Sequence, residues 1–274
     1  MFGALVGDIN GSLNELGDQL KSKDIELWKK EMEFTDDSAC TLAVAEALIK
    51  NYPINYSEEG LKKISKDTVN CFIKYGRELY PYLGYGGMFY LFLYGGTEYK
   101  PYNSYGNGAA MRVSPVGWIA NNETEVKLLS KAVTEVTHNH EEGIKGAEAT
   151  AMCIYLARIG KDKEFIRNYI KENYYVDIDN YDYDDLLANY RFDVTCQGTV
   201  PVAIYCFLIS NNFEDCLRTV ISVGGDSDTV SAICMSIAEA YYQDKEDLSS
   251  FKAKVYEYID DNMKRVIESF EKLV

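Results

Sequence analysis

Two stretches of this 274-residue chain set carboxylates and a hydroxyl at the start of a helix. Gly224-Gly225-Asp226-Ser227-Asp228-Thr229 runs into the apolar positions Val230, Ile233 and Ile237. The glycine pair permits a tight turn and close backbone approach. The oxygen groups that follow suit a hard divalent cation such as magnesium or manganese. The same hexapeptide could also be a glycine turn followed by an Asp or Ser N-cap and nothing more. Phe34-Thr35-Asp36-Asp37 is a second start of the same type. Adjacent Asp36 and Asp37 would repel each other if merely buried, whereas a dication between them and Asp226/Asp228 reverses that cost. Two such sets could hold two metals, because carboxylates from both helices can bridge the ~3.5–4 Å of a two-metal hydrolytic centre.

Three further segments could supply binding groups. Asn103-Ser104-Tyr105-Gly106-Asn107-Gly108 is a glycine-containing loop entering a helix, and its free backbone N–H groups could hold phosphate oxygens. The Lys-Ser/Thr ending of a Walker loop is missing. Tyr105 could stack on a base or pack in the core. His138 and His140 are the two histidines of the chain, and their i,i+2 spacing splays them apart on a helix, which argues against a joint metal site. Each could bond a phosphate or hydroxyl, or be a satisfied structural histidine. In the segment from Gly3 to Glu15, Gly7 and Gly11 allow tight helix packing, and Glu15 taken alone reads as a solvated side chain.

These groups can meet only if helices carry them to one place. Apolar residues recur three and four positions apart along most of the chain, and alternating β-branched runs are scarce. Ala39, Leu42, Ala43, Ala47 and Leu48 stripe residues 37–50, with Thr35 and Asp36 where an N-cap and an acidic first turn belong. Comparable patterns predict helices over 57–76, 123–136, 142–159, 162–173, 199–210 and 212–221. From Ser227 to Val274 there is neither Gly nor Pro, which predicts two long helices broken near 243–247. The glycine-bearing stretches 3–17, 84–96, 104–108 and 222–225 read as irregular, and 174–193 as an exposed loop or short helix. Without a repeat or a Pro/Ser-rich linker, the expectation is one all-α domain over 1–274 whose glycine loops converge on one site.

Charge narrows the partners. With 28 Lys+Arg against 43 Asp+Glu the chain carries −15 and no basic run, which disfavours nucleic acid. No apolar stretch reaches the roughly 18 residues of a membrane span, and residues 1–20 lack a secretory signal's pattern, so a cytoplasmic chain is expected. Seven cysteines, an odd number with no C-x-x-C pair, read as buried reduced thiols.

In chain order, GDINGSLNE (7–15), FTDDSACTLAVAEAL (34–48), NSYGNGAAMRVSPVGW (103–118), THNHEEGIKGAEATA (137–151) and GGDSDT (224–229) resemble the ADP-ribosylglycohydrolase family, which includes the dinitrogenase-reductase-activating glycohydrolases. The resemblance implies a compact all-helical domain with a central dinuclear magnesium or manganese cleft. It also implies hydrolysis of the C1″ glycosidic bond that joins ADP-ribose to a protein side chain or small acceptor, with ADP-ribose as product. By resemblance, Thr35, Asp36, Asp37, Asp226, Asp228 and Thr229 match the family's metal ligands, and Glu15 matches a glutamate on a flap over the scissile ribose. Ser104, Tyr105 and Gly106, with Asn107 beside them, match the loop around the diphosphate and adenine; His138 matches a phosphate-contacting histidine. Glycoside cleavage through an oxocarbenium-like state needs a carboxylate to deprotonate water or protonate the leaving group, which makes Glu15, Asp36 and Asp228 the catalytic candidates. Phe34 stands where Trp is usual in the family, and Met235 where Gly is common. Two other readings compete: a catalytically silent ADP-ribose-binding or structural relative, and a dinuclear-metal phosphohydrolase that cuts a phosphorus–oxygen bond of a nucleotide.

Overall fold

Polar caps set where many of the helices begin. Thr35, Ser57, Asn122, Asp162, Thr195, Asn212 and Asp260 each accept a hydrogen bond from an amide in the turn that follows, satisfying a donor with no partner inside the helix. The structure is a computed structural model and describes residues 1–14, 19–96 and 98–274. Among these residues the α-helices are α1 (Phe2–Gly11), α2 (Asp36–Lys50), α3 (Glu58–Ile73), α4 (Gly87–Tyr94), α5 (Ser114–Ile119), α6 (Glu123–Thr134) and α7 (Glu141–Arg158). They continue with α8 (Lys163–Asn173), α9 (Tyr183–Asn189), α10 (Cys196–Ile209), α11 (Phe213–Val223), α12 (Ser227–Tyr242), α13 (Ser249–Tyr258) and α14 (Asp261–Glu271). Among the described residues the nearest approach to a strand is a single antiparallel bridge between Gly106 and Thr195.

The core is built around α12, in which every residue except Tyr241 is buried. A helix surrounded on all sides must be apolar or small all round, and α12 is flanked by α1, α7, α10 and α11. Its contact with α1 is a backbone contact. Gly3, Gly7 and Gly11, four residues apart, lie against the carbonyls of Met235, Ser231 and Ser227, also four apart, so the two helices run antiparallel. A Cβ on any of the three glycines would strike those carbonyls. Glu239 closes the far end of the pair, accepting from the Met1 ammonium at 2.5 Å and the Gly3 amide at 2.7 Å.

Several expected boundaries move. Residues 2–11 and 87–94 are helices rather than irregular, because glycines at a spacing of four mark a packing face in α1 and the glycines before and after 88–94 bound α4. The C-terminal stretch holds three helices, not two. Beside the expected break at 243–247 there is a second before α14, where Asp260 caps through the Met263 amide at 2.9 Å. The pattern over 57–76 is α3 followed by a π-helical stretch, Lys74–Leu79. Within 174–193 lie a 3₁₀ turn, Ile178–Asn180, and α9. All seven cysteines are free and buried. No helix among the described residues is long and apolar enough to cross a membrane.

Candidate metal centre and cleft

The close seating of α1 on α12 brings an acidic residue of α1 to the starts of two other helices. Asp8 of α1, Asp37 in the first turn of α2 and Asp228 in the first turn of α12 are buried, and each offers a carboxylate oxygen within 4.8 Å of the others. Their roles differ. Both oxygens of Asp8 are occupied: Oδ1 accepts from the Thr35 hydroxyl at 2.7 Å, and Oδ2 from the amides of Thr35 (2.9 Å) and Ser38 (3.1 Å) and from the Ser38 hydroxyl. Asp8 thereby satisfies donors at the start of α2 and pins that helix to α1.

Asp37 is the contrasting case. Its Oδ2 accepts from the Thr229 hydroxyl at 3.2 Å, while its buried Oδ1 has no hydrogen-bond partner among the described residues. An acceptor left unsatisfied in the interior costs about 1–3 kcal/mol, and more when charged. Burial pushes all three carboxyls up. Asp8 reaches about 7, with Asp228 adding to the rise. Asp37 stands well above the carboxylate range, raised further by Asp228, Asp8, Asp36 and Asp226. Asp228 rises against the counter-effect of the Thr229 amide. The set carries carboxylate and hydroxyl oxygens and an orphaned lone pair, a donor chemistry that fits a hard divalent cation.

Above this cluster opens a cleft of about 480 Å³. Asp36, Asp37, Asp226, Asp228 and Thr229 line it, together with Ser104, Gly106, Asn107, Gly108, Arg112 and His138. Half-exposed Met88, Phe192 and Val194 form apolar parts of its rim. Asp36 and Asp226 line the cleft without belonging to the triad. Asn107 donates from Nδ2 to Asp226 Oδ2 at 2.6 Å and to the Thr199 hydroxyl at 3.2 Å, tying the glycine loop to the start of α12. Ser104 Oγ accepts from the Gly106 amide at 3.1 Å.

The structure thus brings together Thr35, Asp37, Asp228 and Thr229, with Asp36, Asp226, Ser104, Gly106, Asn107 and His138 on the same cleft. Tyr105 is turned edge-on to His140, with ring centroids 5.2 Å apart, and does not line the cleft. Glu15 lies outside the described residues. The two histidines do separate work: His140 caps α7 by accepting from the Glu142 amide at 3.1 Å, while buried His138 faces the glycine loop. Burial and the Arg112 guanidinium hold the His138 pKa well below its usual value, so the ring is neutral. Asp8 and Arg112 were not among the expected site residues. The signal for Asp8 was a lone acid inside the apolar run Phe2–Gly11; for Arg112 it was a charge at the end of a glycine loop with no acid beside it in sequence.

Among the described residues the fold is all-helical, and it gathers carboxylates from α1 and two helix starts beneath a glycine-loop cleft, an oxygen set whose chemistry fits a divalent cation. The chain belongs to the ADP-ribosylglycohydrolase family, whose description matches residues 1–273. It is 24% identical over 319 residues to ADP-ribosylhydrolase ARH3 of Gallus gallus, covering 90% of this chain and 85% of that protein. The ADP-ribosyl-[dinitrogen reductase] glycohydrolase of Rhodospirillum rubrum is 23% identical over 189 residues, 65% of this chain and 60% of its own length. In fold, the chain is similar to a solved ADP-ribosylglycohydrolase-related protein complex, with a TM-score of 0.71 at 20% identity over 99% of this chain and 95% of that one.

Proposed function

We propose that this chain, acting as one domain over 1–274, is a divalent-cation-dependent hydrolase that cleaves the C1″ glycosidic bond of ADP-ribosylated side chains or small acceptors and releases ADP-ribose. The observation that carries this reading is the buried Asp8–Asp37–Asp228 cluster, with its orphaned Asp37 oxygen, beneath the glycine-loop cleft of a family member. Thr35, Asp36, Asp37, Asp226, Asp228 and Thr229 would hold two cations, magnesium or manganese. When bound, the cations supply Lewis-acidic charge to oxygens at the reacting ribose.

The chain's own groups do the rest. Asp8 fixes the start of α2 through Thr35, so that Asp37 presents its oxygens to Thr229 and Asp228. Asn107 holds Asp226 in place. Amides of the Ser104–Gly108 loop other than those of Gly106 and Asn107, which bond Ser104 Oγ and the Val194 carbonyl, would offer donors to the diphosphate together with the His138 ring, and Tyr105 would have to turn from His140 to reach the adenine. Departure of the acceptor leaves oxocarbenium character at C1″. A carboxyl of Asp36, Asp228 or Glu15 would give its proton to the leaving atom as that bond breaks, and the resulting carboxylate would take a proton from the water that attacks C1″. Seven free thiols suit a reducing, cytoplasmic setting.

Incubation with ADP-ribosyl-serine, ADP-ribosyl-arginine and ADP-ribose, each with magnesium, manganese or chelator, tests this. Free ADP-ribose formed from a conjugate only when cation is present is the expected result. Release of AMP instead identifies a phosphohydrolase, and binding of ADP-ribose without any product identifies a silent relative.

A further inference from the structure

Arg112 is buried in the cleft wall, its guanidinium lying 4.3 Å from the ring centroid of Phe72 and 5.8 Å from that of Phe89. Aromatic faces therefore hold its charge on one side. On the other, Nη2 reaches the Thr137 hydroxyl oxygen at 2.5 Å and His138 Nδ1 at 3.4 Å. The Thr137 oxygen and His138 Nδ1 are themselves 2.8 Å apart. The protons in this triangle can be counted. Arginine only donates, a hydroxyl gives one proton and accepts, and a neutral imidazole has one donor and one acceptor nitrogen.

If Nδ1 carried the proton, two N–H groups, one of them cationic, would face each other, and the Thr137 proton would be left to the Thr134 carbonyl at 3.5 Å, the far end of hydrogen-bond reach. With Nδ1 bare, its single lone pair accepts the Thr137 proton, the Thr137 oxygen accepts from Nη2, and the guanidinium faces a lone pair instead of a second N–H. The ring proton then sits on Nε2. That nitrogen looks onto the glycine loop: a Cβ added at Gly108 would lie 3.3 Å from it, and one at Gly106 3.5 Å. Glycines at both positions leave the N–H uncovered toward the cleft.

We propose that Arg112 is a positioning residue: with Thr137 it fixes His138 as the Nε2-protonated neutral ring, a donor aimed past Gly106 and Gly108 at an anionic oxygen in the cleft. A guanidinium so close also opposes a second positive charge on the ring, in line with the lowered His138 pKa. The tautomer is independent of what the cleft binds. Only the identity of the ligand oxygen, a phosphate oxygen of ADP-ribose, rests on the proposed function.

Nitrogen-15 NMR of the full chain at pH 7 reads the tautomer directly, with His140→Asn separating the signals of the two rings. In the wild type Nε2 is expected to be pyrrole-like and Nδ1 pyridine-like. In Arg112→Lys and in Thr137→Val the two shifts are expected to converge toward a mixed population, while ADP-ribose affinity, measured by calorimetry, falls about tenfold. Thr137→Val keeps the side-chain shape and serves if Arg112→Lys fails to fold. A wild-type ring protonated on Nδ1, or an unchanged tautomer in both variants, overturns the proposal. A correctly protonated ring in a protein that binds no ADP-ribose would overturn the functional reading and leave Arg112 as the positioning residue.

Discussion

Replacing Gly11 by alanine probes how α1 sets the geometry of the acidic cluster. A Cβ there would lie 2.5 Å from the Ser227 carbonyl oxygen, 2.6 Å from Asp228 Cα and 2.7 Å from Asp228 N. Non-bonded heavy atoms settle at about 3.5 Å or more, so the start of α12 must retreat by about 1 Å. All three atoms belong to backbone, so no side-chain rotation relieves the contact. Overpacking of this kind costs about 1–3 kcal/mol, which for a chain of this size lowers Tm by roughly 3–10 °C. Activity should suffer more than stability. The displacement falls on Asp228 itself, and a shift of about 1 Å at a positioned group can cost about 100-fold in turnover.

Gly3→Ala provides the comparison. Its Cβ would strike the Met235 carbonyl, two turns further along α12 from Asp228 and at the end of α1 away from Asp8. Gly3→Ala should therefore destabilise about as much as Gly11→Ala, with the smaller loss of turnover. Thermal melts, together with cation-dependent ADP-ribose release assayed well below both melting temperatures, separate the two effects. Wild-type turnover in Gly11→Ala, or an equal loss in the two variants, would refute the idea that α1 controls the position of Asp228.

Other perturbations act on charge. Asp37→Asn removes the residue with the orphaned oxygen; the cation-free protein should melt a few degrees higher, while the cation-induced rise in Tm and the turnover are lost. Asp8, Asp37 and Asp228 have folded-state pKa values above those of the unfolded chain, so the cation-free protein holds extra protons when folded. That stabilisation is complete below the unfolded value, near pH 4, and is lost as pH rises through about 7 for Asp8, so cation-free Tm should fall across this window and added manganese should raise Tm more at pH 7.5 than at pH 5. Asn107→Ala removes the 2.6 Å bond to Asp226 and should weaken cation affinity about 10- to 100-fold by calorimetry, with the helical circular dichroism unchanged.

The residues that declare themselves in sequence are those whose partners are near in sequence or whose chemistry repeats. Thr35 and the stripe of α2 combine a cap with a period, and the structure starts α2 at Asp36. The two hydroxyl-and-carboxylate starts share a composition, which is why their meeting could be expected, and Asp37 and Asp228 do meet. Asp8 was illegible for the opposite reason: it bonds Thr35 and Ser38, 27 and 30 residues away. Arg112 likewise depends on Phe72, Phe89 and Thr137 from three other parts of the chain. Glycine carries two opposed signals over 3–17, helix packing and irregular backbone, and in α1 packing holds; the break before α14 is set by the single cap Asp260, which hydropathy does not report.

The placement of the three acids limits what can balance them. Asp37 and Asp228 sit in first turns, where each helix offers about +0.5 of an elementary charge. Asp8 sits near the C-terminal end of α1, where the helix field opposes an anion, and only donors from α2 hold it. Two helix starts thus bring about +1 to a buried set that carries −3 when ionised. Simple capping leaves about two negative charges uncompensated in the interior, which the raised pKa values express as retained protons. Protonation relieves that excess at low pH and is lost as pH rises through about 7 for Asp8. Above that range a divalent cation held by the set would relieve it, and would also give a partner to Asp37 Oδ1, the buried carboxylate oxygen that has none among the described residues.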